Sequence, residues 1–159
     1  MNSLIKPLVL ERAALDDVLR HAREADPDEC CGALVERHGR DEVWRLENVQ
    51  DQLHARDPVA NPRTARTAYA LGHRDVARID DATTGDPEIG ALKAIYHSHA
   101  MHGAYFSGED RARAMFGDEP TYPDVAYLVV SDARTPGEAR AFRWNESEHD
   151  FAEVAVEIR

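Results

Sequence analysis

The chain reads Ala91-Leu-Lys-Ala-Ile-Tyr-His97-Ser-His99 and, seven residues later, Ser107-Gly-Glu-Asp110. The apolar lead-in predicts a strand, on which residues two apart share a face at about 6.6–6.8 Å from each other. His97 and His99 therefore project together and can converge on one ion. Asp110 adds a carboxylate, and three protein ligands leave a fourth position open, as in catalytic zinc sites.

A helix is predicted to begin at Ser107 and to close at Gly117. Serine is a favoured N-cap, and acidic residues suit the first turn of a helix. Ser107 and Asp110 also have the spacing of a capping box, with Asp in the place of Glu or Gln. An ordinary helix start thus remains a second interpretation of this pair, as structural histidines do for His97 and His99.

A metal hydrolase also needs a group that takes a proton from water and passes it to the leaving amine. Glu29 is the candidate, in the segment Pro27-Asp-Glu-Cys-Cys-Gly32 between the first predicted helix and an apolar strand. Burial there would raise its pKa toward the range useful for proton transfer. Taken alone, Glu29 is better explained as a solvated charge at a helix end, because Glu is common in a chain this acidic.

Together these residues resemble the signature of the JAMM/MPN metalloprotease family. That signature is an upstream Glu, then His-x-His, seven residues and Ser-x-x-Asp, and every position is matched here. The Cys31-Gly32 context after Glu29 resembles the bacterial single-domain branch. Many members have Pro where this chain has Ala100 and Phe106, which leaves the substrate preference more open than metal binding.

The resemblance implies a zinc ion held by His97, His99 and Asp110. It implies that Glu29 acts as general base and acid, and that Ser107 steadies the oxyanion. It further implies an isopeptidase-like or deubiquitinase-like hydrolase that cuts an amide bond at the C-terminal Gly-Gly tail of a ubiquitin-like or sulfur-carrier protein. The fold implied is the cytidine-deaminase-like α/β architecture of JAMM/MPN domains.

The length of 159 residues predicts one domain over residues 1–159. Helices mixed with strands predict an α/β fold, a single mixed β-sheet with flanking helices. Helices are predicted over residues 8–25, 72–81 and 108–116; strands over 31–36, 42–49, 67–71, 91–96, 125–130, 139–144 and 151–158; and loops over 50–63 and 118–124.

A net charge of −11 argues against a nucleic-acid partner, because that affinity depends on Lys and Arg at phosphates. No run of the chain is long and apolar enough to span a membrane, and no signal peptide is recognised, so we expect a cytoplasmic protein. Cys30 and Cys31 are adjacent, and no disulfide between them is expected.

Several nearby side chains allow two interpretations. His102 lies between the motif halves and either contacts substrate or is exposed. Arg63 and Arg66 either bind a carboxylate or are surface charges. Tyr105 and Phe106 either line a groove or pack in the core.

Two other classes of function remain open. A non-catalytic MPN-type binding scaffold could keep the fold, although a scaffold has no need of an open metal site. A two-His-one-carboxylate iron oxygenase would use the same ligand types but leaves Glu29 unexplained. A zinc deaminase is disfavoured because its His-x-Glu and Pro-Cys-x-x-Cys signature is absent.

Overall fold

The computed structural model describes residues 5–159. This part of the chain contains four helices and ten strands. In order they are β1 Leu8–Leu10, α1 Arg12–Ala25, β2 Cys31–Arg37, β3 Arg40–Leu46, α2 Gln50–Arg56, α3 His73–Asp81, β4 Ala91–Ser98, α4 Gly108–Ala114, β5 Met115–Phe116, β6 Glu119–Pro120, β7 Ala126–Ser131, β8 Glu138–Asn145, β9 Asp150–Val154 and β10 Val156–Ile158.

One six-stranded sheet organises the fold, with the strand order β3-β2-β4-β7-β8-β9. Only β4 and β7 run parallel, and the other neighbours in this sheet are antiparallel. β1 and β10 form a separate parallel pair, and β5 and β6 form a short antiparallel hairpin. The predicted mixed α/β sheet is therefore confirmed.

The central strands are buried on both faces, so each face carries its own apolar cluster. On one face, Leu15 and Val18 of α1 pack with Tyr96 and Leu128. On the other, Ile79 of α3 packs with residues of the sheet, among them Val35, Trp44, Ile95 and Tyr127. Because side chains alternate along a strand, His97 follows Ile95 onto the second face.

Strand pairing carries the two halves of the motif to one end of the sheet. Cys31 of β2 pairs with His97 of β4, so Glu29 lies just beyond the sheet beside His99. Ser98 points to the opposite face, as expected, and its hydroxyl accepts a hydrogen bond from the backbone N–H of Cys30 at 2.8 Å.

Several predicted elements were wrong. Residues 50–63, predicted as a loop, begin with α2, and residues 67–71, predicted as a strand, form a turn followed by irregular backbone. Helix α4 ends at Ala114 and not at residue 116, because the chain turns into β5. The predicted terminal strand is divided between β9 and β10, which belong to different sheets.

The start of the first helix also differs from the prediction. The predicted first helix starts later than residue 8, because Leu8–Leu10 pairs with the C-terminal strand β10.

Across residues 5–159, no helix combines the length and apolar character needed to cross a bilayer.

Candidate metal centre

Three side-chain groups meet at the end of β4. His97 Nε2 lies 3.0 Å from one carboxylate oxygen of Asp110, and His99 Nε2 lies 3.2 Å from the other. The two Nε2 atoms are 3.3 Å apart. Ligands at 2.0–2.1 Å from a tetrahedral zinc are separated by about 3.3 Å, which is the separation of the two histidine nitrogens. All three residues are buried.

The imidazole of His99 is held in one tautomer. Its Nδ1 lies 2.8 Å from the carbonyl oxygen of Gly103. A carbonyl only accepts, so Nδ1 carries the proton and Nε2 keeps its lone pair directed at the cluster. The backbone N–H of His99 donates to the carbonyl of Val130 at 3.0 Å, which fixes this residue to the neighbouring strand β7.

His97 is oriented by an aromatic stack. The phenol ring of Tyr69 lies 4.5 Å from the imidazole, centroid to centroid, at an interplanar angle of 23°. Burial lowers the pKa of His97, although Asp110 opposes this, so the imidazole is kept neutral. A neutral imidazole is the form that binds metals.

Ser107 and Asp110 form the capping box that their spacing predicts. The Ser107 hydroxyl accepts from the backbone N–H of Asp110 at 3.0 Å, and the Asp110 carboxylate accepts from the backbone N–H of Ser107 at 2.9 Å. The same carboxylate faces both histidines. Helix capping and ligand placement are therefore performed by one pair of residues.

The pKa of the Asp110 carboxyl is well below its usual range. Burial alone would raise it, but the contacts with the His97 and His99 rings and the hydrogen bond from the Ser107 backbone outweigh that effect. Asp110 is therefore an anion without any metal present. An ionised carboxylate between two imidazole nitrogens suits a divalent cation.

Glu29 lies at the edge of this cluster. One of its carboxylate oxygens and one ring nitrogen of each histidine lie within 4.8 Å of one another, which also makes Glu29, His97 and His99 a group able to hold a metal ion. The oxygens of Asp110 approach both Nε2 atoms more closely than this limit, at 3.0 and 3.2 Å. Both carboxylates therefore lie beside the two histidines, and Asp110 is in hydrogen-bond contact with each of them.

The carboxyl group of Glu29 is buried, with only 5% of the residue exposed. Burial raises its pKa to about 8. Within residues 5–159, its Oε1 has no hydrogen-bond partner. A buried polar atom without a partner is uncommon and points to a water, ion or substrate group that completes it.

Three residues that organise this site were not predicted. Asn48 joins separate segments: its amide donates to the carbonyls of Glu29 and Ala68, at 2.9 and 3.1 Å, and its side-chain oxygen accepts from the N–H of Gln50 and Ala70. The stacked ring of Tyr69 and the carbonyl of Gly103 are the other two. No motif spacing marks any of them, because each acts through a tertiary contact.

The side chains near the motif that allowed two interpretations differ in their exposure and packing. Tyr105 is 48% exposed with its ring edge toward His99, whereas Phe106 stacks on Phe142 in the core. His102 is exposed. Cys30 and Cys31 are buried free thiols, and burial raises both pKa values, that of Cys30 to about 11, so neither is a reactive thiolate at neutral pH.

A profile of the prokaryotic homologs of the JAB domain matches residues 11–145. The chain belongs to this family. The CysO-cysteine peptidase of Mycobacterium tuberculosis is 31% identical over 138 residues, which cover 86% of this chain and 82% of that protein. The resemblance to a prokaryotic JAMM/MPN branch, predicted from the motif, is confirmed.

Solved structures show the same fold. A solution structure of a protein from Desulfitobacterium hafniense matches with a TM-score of 0.66 at 20% identity, over 95% of this chain and 92% of that one. A structure described as a metalloprotease-like zinc site in the proteasome and signalosome, the JAMM site, matches with a TM-score of 0.51 at 15% identity, over 97% and 99%. The predicted JAMM/MPN architecture is thus also confirmed.

Proposed function

We propose that this protein is a zinc-dependent metallopeptidase of isopeptidase type. Its substrate would be an amide bond after the C-terminal Gly-Gly of a small sulfur-carrier or ubiquitin-like protein. One observation carries the proposal: the two histidine Nε2 atoms lie 3.3 Å apart, each within 3.0–3.2 Å of an Asp110 carboxylate oxygen, and a buried carboxyl with an unpartnered oxygen stands beside them. A scaffold would require neither feature.

The residues fit a divalent ion held by His97, His99 and Asp110. When bound, such an ion lowers the pKa of water and polarises a carbonyl oxygen. Asp110 and the two neutral imidazoles supply one negative charge, so the cation keeps a net positive field at the reacting carbonyl. The Gly103 carbonyl and the Tyr69 ring hold the two imidazoles in place for this purpose.

Glu29 performs the proton transfers. Its carboxylate takes a proton from the water that attacks the amide carbon. It then gives that proton to the nitrogen as the C–N bond breaks, so a carboxylate and a free amine are released. Burial raises the pKa of Glu29, and a general base or acid works best with a pKa near the working pH.

Ser107 is assigned to the carbonyl oxygen. Its hydroxyl oxygen already accepts from the Asp110 N–H, so its own proton is free to donate. A donor aimed at the oxygen that gains charge in the transition state typically contributes about 10²–10³ in rate. The capping contact fixes the hydroxyl so that this donation needs no rearrangement.

The substrate class is supported by the relative in M. tuberculosis, whose name is CysO-cysteine peptidase. We assign this chain a corresponding substrate: a carrier protein joined through its C-terminal glycine to the amine of an amino acid. An extended tail of this kind is narrow enough to reach a buried site.

The test uses a Gly-Gly-tailed sulfur-carrier protein extended by one cysteine. Release of cysteine is followed by mass spectrometry with zinc-loaded protein, with chelated protein, and after zinc is restored. We expect cleavage, loss of cleavage and recovery, in that order. Equal rates under all three conditions contradict a metal-dependent mechanism, and zinc-loaded protein without activity favours the scaffold interpretation.

A further inference from the structure

The backbone of residues 63–67 is fixed directly against Glu29. The N–H of Glu29 donates to the carbonyl of Ala65 at 2.8 Å, and the N–H of Ala65 donates to the Asp51 carboxylate at 2.8 Å. The carbonyl of Arg63 accepts from the side-chain amide of Gln50 at 2.9 Å. These contacts with β2 and α2 give the loop a defined position beside the Glu29 carboxyl.

Arg63 reaches from this loop toward α4. Its Nη1 donates to the carbonyl of Thr67 at 3.2 Å, and its Nε lies 3.8 Å from a carboxylate oxygen of Glu109, which neighbours Asp110. The Arg63 side chain is 49% exposed. Its positive charge and the negative charge of Glu109 both act on the carboxyl of Glu29. The guanidinium is therefore half-exposed, next to the residue that precedes Asp110, and close enough to influence the Glu29 carboxyl.

The leaving group of the substrate must lie on the Glu29 side of the site. Glu29 can protonate the leaving nitrogen only from hydrogen-bond distance. In an amino acid, the α-carboxylate is two bonds from this nitrogen. Its position therefore falls within a few ångströms of Glu29, and Arg63 belongs to the loop whose Ala65 carbonyl accepts from the Glu29 N–H.

We propose that Arg63 is the specificity residue that binds the free α-carboxylate of the departing amino acid. A planar guanidinium matches a carboxylate through two parallel hydrogen bonds. The protein would then release a single terminal amino acid in preference to cutting within a longer chain. This inference rests on the proposed peptidase function and names the leaving group of that same reaction.

Arg63 has donors available for this task. The 3.8 Å separation from Glu109 is too long for a hydrogen bond, so Nε and Nη2 are not committed to that carboxylate. Arg113 is less suited, because its Nη2 already donates to Gln50 at 2.7 Å. Arg66 is exposed and, among the described residues 5–159, its side chain makes no ion pair, which makes it a matched control.

The experiment compares two forms of the carrier extended by cysteine, one with a free C-terminal carboxylate and one with a C-terminal amide. We measure kcat/KM for the wild type, Arg63→Gln and Arg66→Gln. The wild type is expected to prefer the carboxylate form by about tenfold or more, the usual effect of a charge-assisted hydrogen-bonded pair. Arg63→Gln should lose this preference by slowing only the carboxylate form, and Arg66→Gln should keep it.

Two outcomes overturn the assignment. One is a wild type that cleaves both forms at the same rate; the other is an Arg63→Gln protein that slows both forms equally. Wild-type protein that cleaves neither form contradicts the proposed function itself and this inference with it. Failure of the Arg63 assignment can thus be distinguished from failure of the proposed function, because the first two outcomes occur in an active enzyme.

Discussion

Ser107 is the N-cap of α4 and also the residue that we assign to the carbonyl oxygen of the substrate. Its oxygen accepts from the Asp110 N–H, and its proton is available to a substrate oxygen. The capping role alone would account for the serine. Only a kinetic measurement on a variant that separates the two roles can establish the second.

We predict that Ser107→Ala destabilises the fold by about 1 kcal/mol, the usual cost of a lost N-cap, and lowers kcat by about 10²–10³. Ser107→Thr keeps both the cap and the donor and should retain most of both. Urea unfolding and steady-state kinetics on the two variants provide the measurements. Full kcat in a destabilised Ser107→Ala protein would reduce this residue to a helix cap.

At this scale the sequence was most informative where function depends on spacing. His97, His99, Ser107 and Asp110 are close in the chain, and their positions follow from strand alternation and helix capping. Asn48 and Tyr69 could not be found in this way. Each acts through contacts with segments distant in the chain, and their residue types are common in unrelated roles.

Helix α1 is attached to the sheet by a polar contact within its apolar interface. His21 Nδ1 and the hydroxyl of Tyr96 are 2.7 Å apart, and the two rings meet edge to face. Burial lowers the pKa of His21; Arg45 also lowers it, while Asp17 and Glu24 act in the opposite direction. The folded protein therefore keeps this imidazole neutral in a pH range where the unfolded chain is protonated.

This difference predicts a pH-dependent stability. As the pH falls below about 6.5, the ordinary pKa of histidine, the unfolded state binds a proton that the folded state refuses, so the free energy of unfolding decreases. His21→Gln keeps a hydrogen bond to Tyr96 but does not titrate. Between pH 7.5 and 5.5 the wild type should lose more stability than this variant in urea unfolding. Parallel pH profiles would contradict the prediction.

Gly32 allows the closest approach between strands β2, β3 and β4. A methyl group at this position would overlap the carbonyl oxygen of Trp44 and the ring of Tyr96. Both neighbours are buried, so neither can move freely. The glycine is thus required by packing next to the strand that carries His97.

We therefore predict that Gly32→Ala destabilises the protein by about 1–3 kcal/mol or more. Gly108→Ala is the control, because nothing lies within 4 Å of its added methyl group. A change of less than about 1 kcal/mol is expected for the control, with stabilisation favoured by the smaller entropy of the unfolded chain. Thermal or urea unfolding measures the stability of both variants. A Gly32→Ala protein as stable as the wild type would refute the packing argument.

The secondary structure was predictable where apolar periodicity is strong, as in β7 and α3. The prediction of secondary structure failed over residues 50–71. Helix α2 has only Gln50 buried, so it lacks an apolar stripe, and Pro58 and Pro62, which suggested a loop, lie beyond its end. The apolar residues 68–70 are buried in irregular backbone, where Asn48 satisfies polar groups that a strand partner would otherwise bond.

At the scale of the whole molecule, the fold gathers three distant segments at one end of the central sheet. Glu29 lies just before β2, the two histidines lie at the end of β4, and α4 carries Asp110 with its serine cap. The match to the prokaryotic JAB family spans all three segments. The chemistry follows from their convergence and not from any one of them.

The central claim is that Glu29 is the proton carrier and not a ligand of the ion. The most direct measurement is zinc content and cleavage rate on the same sample of Glu29→Gln protein. We expect the Glu29→Gln protein to bind about one zinc per chain, as the wild type does, and to have a kcat lowered by about 10²–10⁴. Loss of zinc together with activity would make Glu29 a ligand, and a zinc-loaded variant with undiminished activity would exclude it from the mechanism.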